Sequence, residues 1–284
     1  MSGKIELKEM QKIELEILNS FALFCDTHSL RYFLSNGTLL GAIREKGFIP
    51  WDDDIDIYMP RKDYMSFLEL VGSSFGSHYI LISPYNSKQY IHTYAKLYDS
   101  RTILIEYPET LRFEIGVYID IFPVDGLPDS IKESDKHFLK MRKLITKNWL
   151  LIAQCEIYKI SPKLHIRMSG YILSFLARLI GKKYYFKKLD KMARKFDFDK
   201  CNYVALTACG YGKVERMPKR CFATYHKVQF ENNFFNAPIC HHEYLTNIFG
   251  NYMQLPPVEK RIKRHNNEVY WKSENRNEND SAFH

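Results

Sequence analysis

The sequence predicts an α+β fold, a mixed sheet core flanked by helices and interrupted by a basic helical insertion. Strand-like runs alternate with amphipathic stretches from residue 5 to about residue 129. A helical, strongly basic stretch then fills 130 to 200, and mixed patterning returns from Cys201 to about residue 271. With 284 residues, 45% hydrophobic and 26% charged, the chain can bury a substantial core as one large domain or two modest ones. We divide it into a core at 1–129, a basic helical segment at 130–200, a part completing the core at 201–271, and a polar tail at 272–284 that its composition marks as disordered.

Each element follows from local pattern. Met10, Ile13, Ile17, Phe21 and Phe24 recur at helical spacing between Glu and Lys, which predicts an amphipathic helix over 5–28. Arg31 to Leu34 reads as a short buried strand, broken at Asn36-Gly37. Thr38 to Lys46 reads as a helix capped by Thr38 and ended by Gly47. Asp54 to Met59 is strand-like and closed by Pro60; a helix with Tyr64, Phe67, Leu68 and Val71 on one stripe opens at Arg61. Gly72 to Ser77 is a loop, and Tyr79–Ile82, Tyr90–Tyr98, Thr102–Ile105 and Val117–Phe122 are further strands. The turn-rich PVDGLPD, Pro123 to Asp129, marks an internal boundary.

The chemistry concentrates in FIPWDDDIDIYMP, Phe48 to Pro60, where a chain of net charge +8 collects four carboxylates in five positions. On a strand, Asp54 and Asp56 share one face while Ile55 and Ile57 share the other. Two adjacent carboxylates repel unless a cation or protons intervene, and hard Mg²⁺ (or Mn²⁺) suits such a pair. Asp120 stands alone among apolar residues in VYIDIF, and an unpartnered buried acid is costly. It therefore reads as a third ligand or as a general base toward a hydroxyl. Asp52 and Asp53 read as an entry turn or a supporting layer behind the ligands. Gly37 and Thr38 open a helix whose free N–H groups suit a phosphate, and Arg44, Arg61 and Lys96 are the nearby cations that could hold phosphate oxygens. A surface ion pair is the plain alternative for each of the three.

A short strand, a Gly-Thr turn and helix, then strands bearing alternating acids resemble the nucleotidyltransferase fold. More closely, GTLLGAIREKGFIPWDDDIDIYMPRKDY (Gly37 to Tyr64), GVYIDIFPVDGLP (Gly116 to Pro128) and EYLTNIFGNYMQLPP (Glu243 to Pro257) resemble the motifs of the LicD family, related to fukutin-like proteins. The resemblance spans about 31 to 265, with no motif matched over 130 to 200. It implies a Mg²⁺-dependent transferase moving phosphocholine, or a ribitol or glycerol phosphate, from a CDP-activated donor to a sugar hydroxyl of a glycan acceptor that can be lipid-linked. Family position gives Asp54 and Asp56 to the metal, Asp120 to a third-ligand or base role, and Gly37-Thr38 to the donor phosphates. After Phe230-Glu231 the family pattern usually has glycine, where this chain has Asn232-Asn233.

Other signals stay open or fall away. The six cysteines show no CxxC spacing and no secretory signal precedes them, so they read as reduced thiols of a cytoplasmic protein. Cys221, His226 and Cys240-His241-His242 lack the pairing of a structural zinc site. Tyr85, Tyr90, Tyr94 and Tyr107 are candidates for a quaternary-ammonium cage, with ordinary core packing as the alternative. Tyr171–Ile180 is too short to span a bilayer; followed by the basic Lys182–Lys195, it is either a solvated face or a peripheral contact with anionic membrane at the inner face. The isoelectric point near 9.0 admits polyanions in general, but no nucleic-acid-binding motif accompanies it, so no specific nucleic acid is expected. A nucleotidyl-adding or nucleic-acid-binding protein is the alternative class.

Overall fold

The computed structural model describes residues 2–72, 74–87, 90, 92–106, 113–159, 162–180, 182–208, 211–265 and 267–273. Strand β1 (Ser2–Lys4) precedes α1 (Leu7–Thr27), β2 (Phe33–Leu34), α2 (Asn36–Arg44), β3 (Asp56–Pro60) and α3 (Arg61–Val71). Then come β4 (Ser74–Phe75), β5 (Tyr79–Ile82), β6 (Ala95–Asp99), β7 (Thr102–Glu106), β8 (Phe113–Ile115) and β9 (Tyr118–Leu127). Three helices follow: α4 (Ile131–Lys159), α5 (Leu164–Ile180) and α6 (Lys182–Ala193). The chain returns through β10 (Tyr203–Ala205), β11 (Met217–Pro218), the hairpin β12 (Tyr225–Phe230) and β13 (Asn233–Pro238), α7 (His241–Phe249) and β14 (Asn267–Trp271). The α+β expectation holds.

The sheet that carries the site runs β11-β10-β9-β6-β5-β4, with β3 beside β9 and β2 beside β3. Among the described residues only β3 and β9 pair in parallel, which makes the sheet mixed. All ten residues of β9 are buried, as befits a strand with neighbours on both edges and helices above it. The stripe of α1 closes one side: Met10, Ile13, Ile17 and Phe21 are buried, and Phe21 meets Tyr32 and Phe67 edge-on. A second sheet, β1-β14-β7-β8, pairs the first strand with the last. Residues from both 1–129 and 201–271 therefore share one hydrophobic core, while Met141, Leu189, Ala193 and Ala208 form a separate small cluster under α4 and α6.

Several boundaries move for physical reasons. The acidic strand begins at Asp56 rather than Asp54, although Ile55 still accepts the Asp120 N–H at 2.8 Å. The expected strand over Tyr90–Tyr98 shortens to β6, and the loop over Gly72–Ser77 contains β4. PVDGLPD is not a boundary, because β9 runs through it to Leu127. Strand β6 leaves β9 at Ile121 and β10 joins at Asp125, so Pro123 falls in the gap between two partners on that edge, where its missing N–H costs no ladder bond. Gly126 lets the backbone of Phe196 and Asp197 approach, since a Cβ there would sit 2.6 Å from the Asp197 carbonyl oxygen.

The expectation of six reduced thiols is also corrected. Cys221 and Cys240 form a disulfide, while Cys25 and Cys201 are free among the described residues. The β12–β13 hairpin folds a 19-residue separation back on itself and brings the two together, an adjacency that linear spacing conceals. Both sulfurs are consumed by the bond, so the cluster Cys221, Cys240 and Glu243 offers no thiolate to a metal. No helix among the described residues is long and apolar enough to cross a membrane. The tail expected at 272–284 lies outside the described residues from 274 onward.

Candidate active site

Three charged residues line up across adjacent strands. Asp56 of β3 is the register partner of Asp120 of β9, and Asp120 is the partner of Lys96 of β6. Neighbouring strands lie about 4.8 Å apart, so this row is compact by construction. Lys96 Nζ sits 2.8 Å from Asp120 Oδ1 and 3.2 Å from the centroid of the Tyr118 ring, which makes one buried lysine both salt-bridged and held by an aromatic face. Ile55 and Ile57 are fully buried behind the acids, and Asp54 and Asp56 are less completely buried, as the alternation requires.

The helix α2 docks its first turn on the same row. It starts at Asn36, two residues earlier than expected, with Ser35 in the capping position. Thr38 is therefore not the cap; its hydroxyl accepts the Asp56 N–H at 2.8 Å and ties the helix to the acidic strand. Gly37 is held by space, because a Cβ there would meet Asp52 Oδ2 at 2.5 Å. The motif around Glu243–Pro257 gains a structural role. Tyr244 donates to Asn36 Oδ1 at 3.1 Å and its hydroxyl accepts the Asn36 N–H at 3.3 Å, while the Tyr252 carbonyl accepts from Arg44 at 3.0 Å. That segment thus holds both ends of α2. Tyr58 reinforces the start by donating to Glu215 at 3.0 Å, and burial pushes the Glu215 carboxyl up to about 7.

The acids are gathered more tightly than the D-I-D-I pattern implied, and in a different grouping. Oxygens of Asp52, Asp53 and Asp54 lie within 4.8 Å of one another, whereas Asp120 is drawn toward Lys96. Asp52 and Asp53 are buried rather than lining an exposed turn. Burial, then Asp54, Asp120 and Asp52, drives the Asp56 carboxyl well above its usual range. Burial and Asp54 push Asp52 up to about 7, and burial also raises Asp54. A set of hard carboxylate oxygens whose ionisation is opposed by burial and by each other is chemically suited to a divalent cation. The donor set fits Mg²⁺.

Several residues at this site were not singled out from sequence. Lys263, Arg264 and His265 face the acids: Asp53 Oδ1 is 3.0 Å from His265 Nδ1, Asp53 Oδ2 is 3.7 Å from Lys263 Nζ, and Arg264 draws down the Asp52 and Asp54 carboxyls against their burial. Helix α1 contributes Gln11, which donates to the Asp52 carbonyl at 2.9 Å, and Glu14. Glu14 is fully buried with no hydrogen-bond partner on either oxygen, and burial and then Asp54 raise its carboxyl. Within an amphipathic helix both looked like solvent-facing residues beside the apolar stripe. Three consecutive cations were legible at 263–265, but nothing local tied them to acids about 210 positions earlier.

The remaining candidates divide. Asp54, Asp56, Asp120, Lys96, Gly37 and Thr38 come together. Arg44 lies at the far end of α2, bonded to Glu45 and the Tyr252 carbonyl. Arg61 lies just past the end of β3, where it forks onto both oxygens of Asp125 at 2.7 Å and reaches Asp190 of α6 at 3.4 Å. Both are engaged inside the protein. Of the cage candidates, Tyr85 donates to Asp190 and packs on Phe186, and the Tyr94 ring is 5.6 Å from Lys96 Nζ, a neighbour that opposes a second cation. Tyr90 and Tyr94 flank His92, and Tyr107 lies outside the described residues. Just before the position where the family pattern has glycine, Glu231 takes a left-handed turn at φ 54°; its carboxylate accepts the Phe48 N–H at 3.0 Å and packs against Gly47.

Comparison with known proteins bears on the same residues. Residues 29–151 match the family described as LicD/FKTN/FKRP, nucleotidyltransferase domain. The lipopolysaccharide cholinephosphotransferase LicD of Haemophilus influenzae is 32% identical over 276 residues, covering 94% of this chain and 98% of the relative. Uncharacterized proteins of Rickettsia typhi and Rickettsia prowazekii match over 72 and 60 residues at 36% and 38% identity, about a fifth of each chain. Identity sustained over nearly the whole of both chains includes α4–α6, beyond the reach of any motif. This chain belongs to the LicD family.

Proposed function

We propose that the protein is a Mg²⁺-dependent transferase that moves phosphocholine from a CDP-activated donor to a sugar hydroxyl of a cell-surface polysaccharide or its lipid-linked precursor, a similar protein being named for lipopolysaccharide. The observation that carries this reading is the registered row Asp56–Asp120–Lys96 beside the opening turn of α2, in a chain alike over nearly its full length to a cholinephosphotransferase. Asp54 and Asp56 would hold the cation, which neutralises charge on the donor diphosphate and helps CMP depart. The opening turn of α2 at Gly37 and Thr38, together with Lys263 and Arg264 beside the acids, would serve the donor's phosphate oxygens. Asp120 is best used as a third ligand, because the Lys96 ammonium at 2.8 Å competes with an acceptor hydroxyl for its carboxylate.

The test is CMP release from CDP-choline, CDP-ribitol and CDP-glycerol with Mg²⁺, with and without lipopolysaccharide. Acceptor-stimulated release from CDP-choline that EDTA abolishes is the expected result. Turnover of CDP-ribitol or CDP-glycerol instead would reassign the transferred group while keeping the site. Steeply salt-dependent DNA or RNA binding with no turnover of any donor would replace this reading with the nucleic-acid alternative.

A further inference from the structure

Helix α5 turns an apolar stripe to water. Leu164, Met168, Tyr171, Ile172 and Phe175 recur at three- and four-residue spacing, fall within an arc of roughly 100°, and are each between 53% and 62% exposed. Single exposed apolar residues are ordinary on a soluble protein; five on one face of one helix mark a contact surface. The helix contains no acid. From Lys163 to Lys195 the sequence holds ten basic residues against one acid, so this short segment accounts for the whole +8 excess of the chain. Lys163, Arg167, Lys187, Lys188, Lys191 and Arg194 are exposed. The one acid, Asp190, is turned inward, accepting from Tyr85 at 2.7 Å and pairing with Arg61 at 3.4 Å.

We propose that the α5–α6 surface docks the protein onto an anionic lipid bilayer, with the α5 stripe entering the headgroup boundary and the flanking cations meeting lipid phosphates. Charge selects this occupant over a second copy of the chain. An isologous pairing through the stripe would set two strongly positive segments against each other, and the buried centres of protein interfaces are depleted of charge. A bilayer supplies both apolar depth for the α5 stripe and negative charge for the exposed cations of α5 and α6. The proposal does not depend on which group is transferred, so it can fail while the transferase reading stands.

The experiment is co-sedimentation of the full chain with phosphatidylcholine vesicles, with and without phosphatidylglycerol. Binding to the phosphatidylglycerol vesicles alone, weakened by salt, is expected. Met168→Glu/Phe175→Glu should reduce the partition by about tenfold or more, and Lys187→Gln/Lys188→Gln/Lys191→Gln by roughly a hundredfold, while circular dichroism shows unchanged melting in both. Failure to sediment with either vesicle would overturn the proposal. So would binding that Met168→Glu/Phe175→Glu leaves intact. A dimer in free solution that this double variant dissolves would hand the stripe to a second copy.

Discussion

The acid-bearing sheet and the α4–α6 layer use charge in opposite ways. Around the sheet, ions of both signs are buried and paired: Lys96 with Asp120, Arg61 with Asp125. Each costs desolvation, and each is fixed in position by a partner. In the α5–α6 part of the layer every charge but Asp190 is positive, the described cations face water, and large apolar residues are exposed beside them. Opposite charges at close quarters specify atomic positions to within a hydrogen bond. Like charges spread over a helix surface specify only a field, which suits an extended, loosely defined partner. One region thus places atoms, and the other offers the field that the proposed bilayer contact would use.

Perturbing the two regions should produce effects of very different size. The largest is expected at the acid row: Asp56→Asn, with folding retained, should cut donor turnover by roughly 10³-fold, read as CMP release. Next is the joint between the regions. Arg61→Ala leaves Asp125 buried without its forked partner and should cost about 3–5 kcal/mol of stability, measured by denaturant unfolding. Replacing both Cys221 and Cys240 by Ser should cost about 3 kcal/mol for a loop of this length, and reductant should lower the melting temperature of the parent but not of the variant.

A smaller effect is tied to pH. Glu215 has its carboxyl raised from 4.5 to about 7 by burial, so the folded protein holds that proton where the unfolded chain has released it. Its contribution to stability is complete below about pH 4.5 and is lost as pH rises to about 7. Glu215→Gln should flatten that stretch of the stability profile. The smallest effect belongs to the layer: Phe175→Ser should change folding stability by about 0.5 kcal/mol or less. If Phe175→Ser destabilised as much as Arg61→Ala, the contrast between the two regions would be lost.

How much of this was legible follows from the range of each interaction. Asp54, Asp56 and Asp120 could be found because the period of a strand is two residues, and an acid among isoleucines violates it visibly. Thr38 was found for the wrong reason: a hydroxyl near a helix start suggested a cap, while the true contact is with the N–H of Asp56, 18 positions away. Arg61 and Lys96 were read as cations that could hold phosphate oxygens, with a surface ion pair as the alternative; their buried partners, Asp125 and Asp120, are set by sheet register. Glu14 and the 263–265 triplet were missed altogether. Their roles exist only once α1 and the C-terminal segment have packed against the acidic turn.

The pairing of β1 with β14 sets the order in which the site can mature. Lys263, Arg264 and His265 come just before β14, and that strand must find β7, made some 165 residues earlier, and β1, at the opposite end of the described chain. Contacts of such separation form late, after shorter loops have closed. On the ribosome, the acidic turn and its two strands are complete while the three cations are still unmade. Lys96 is already beside Asp120 by then, but Asp52 and Asp53 gain Lys263 and Arg264 only when the segment leading into β14 is laid down.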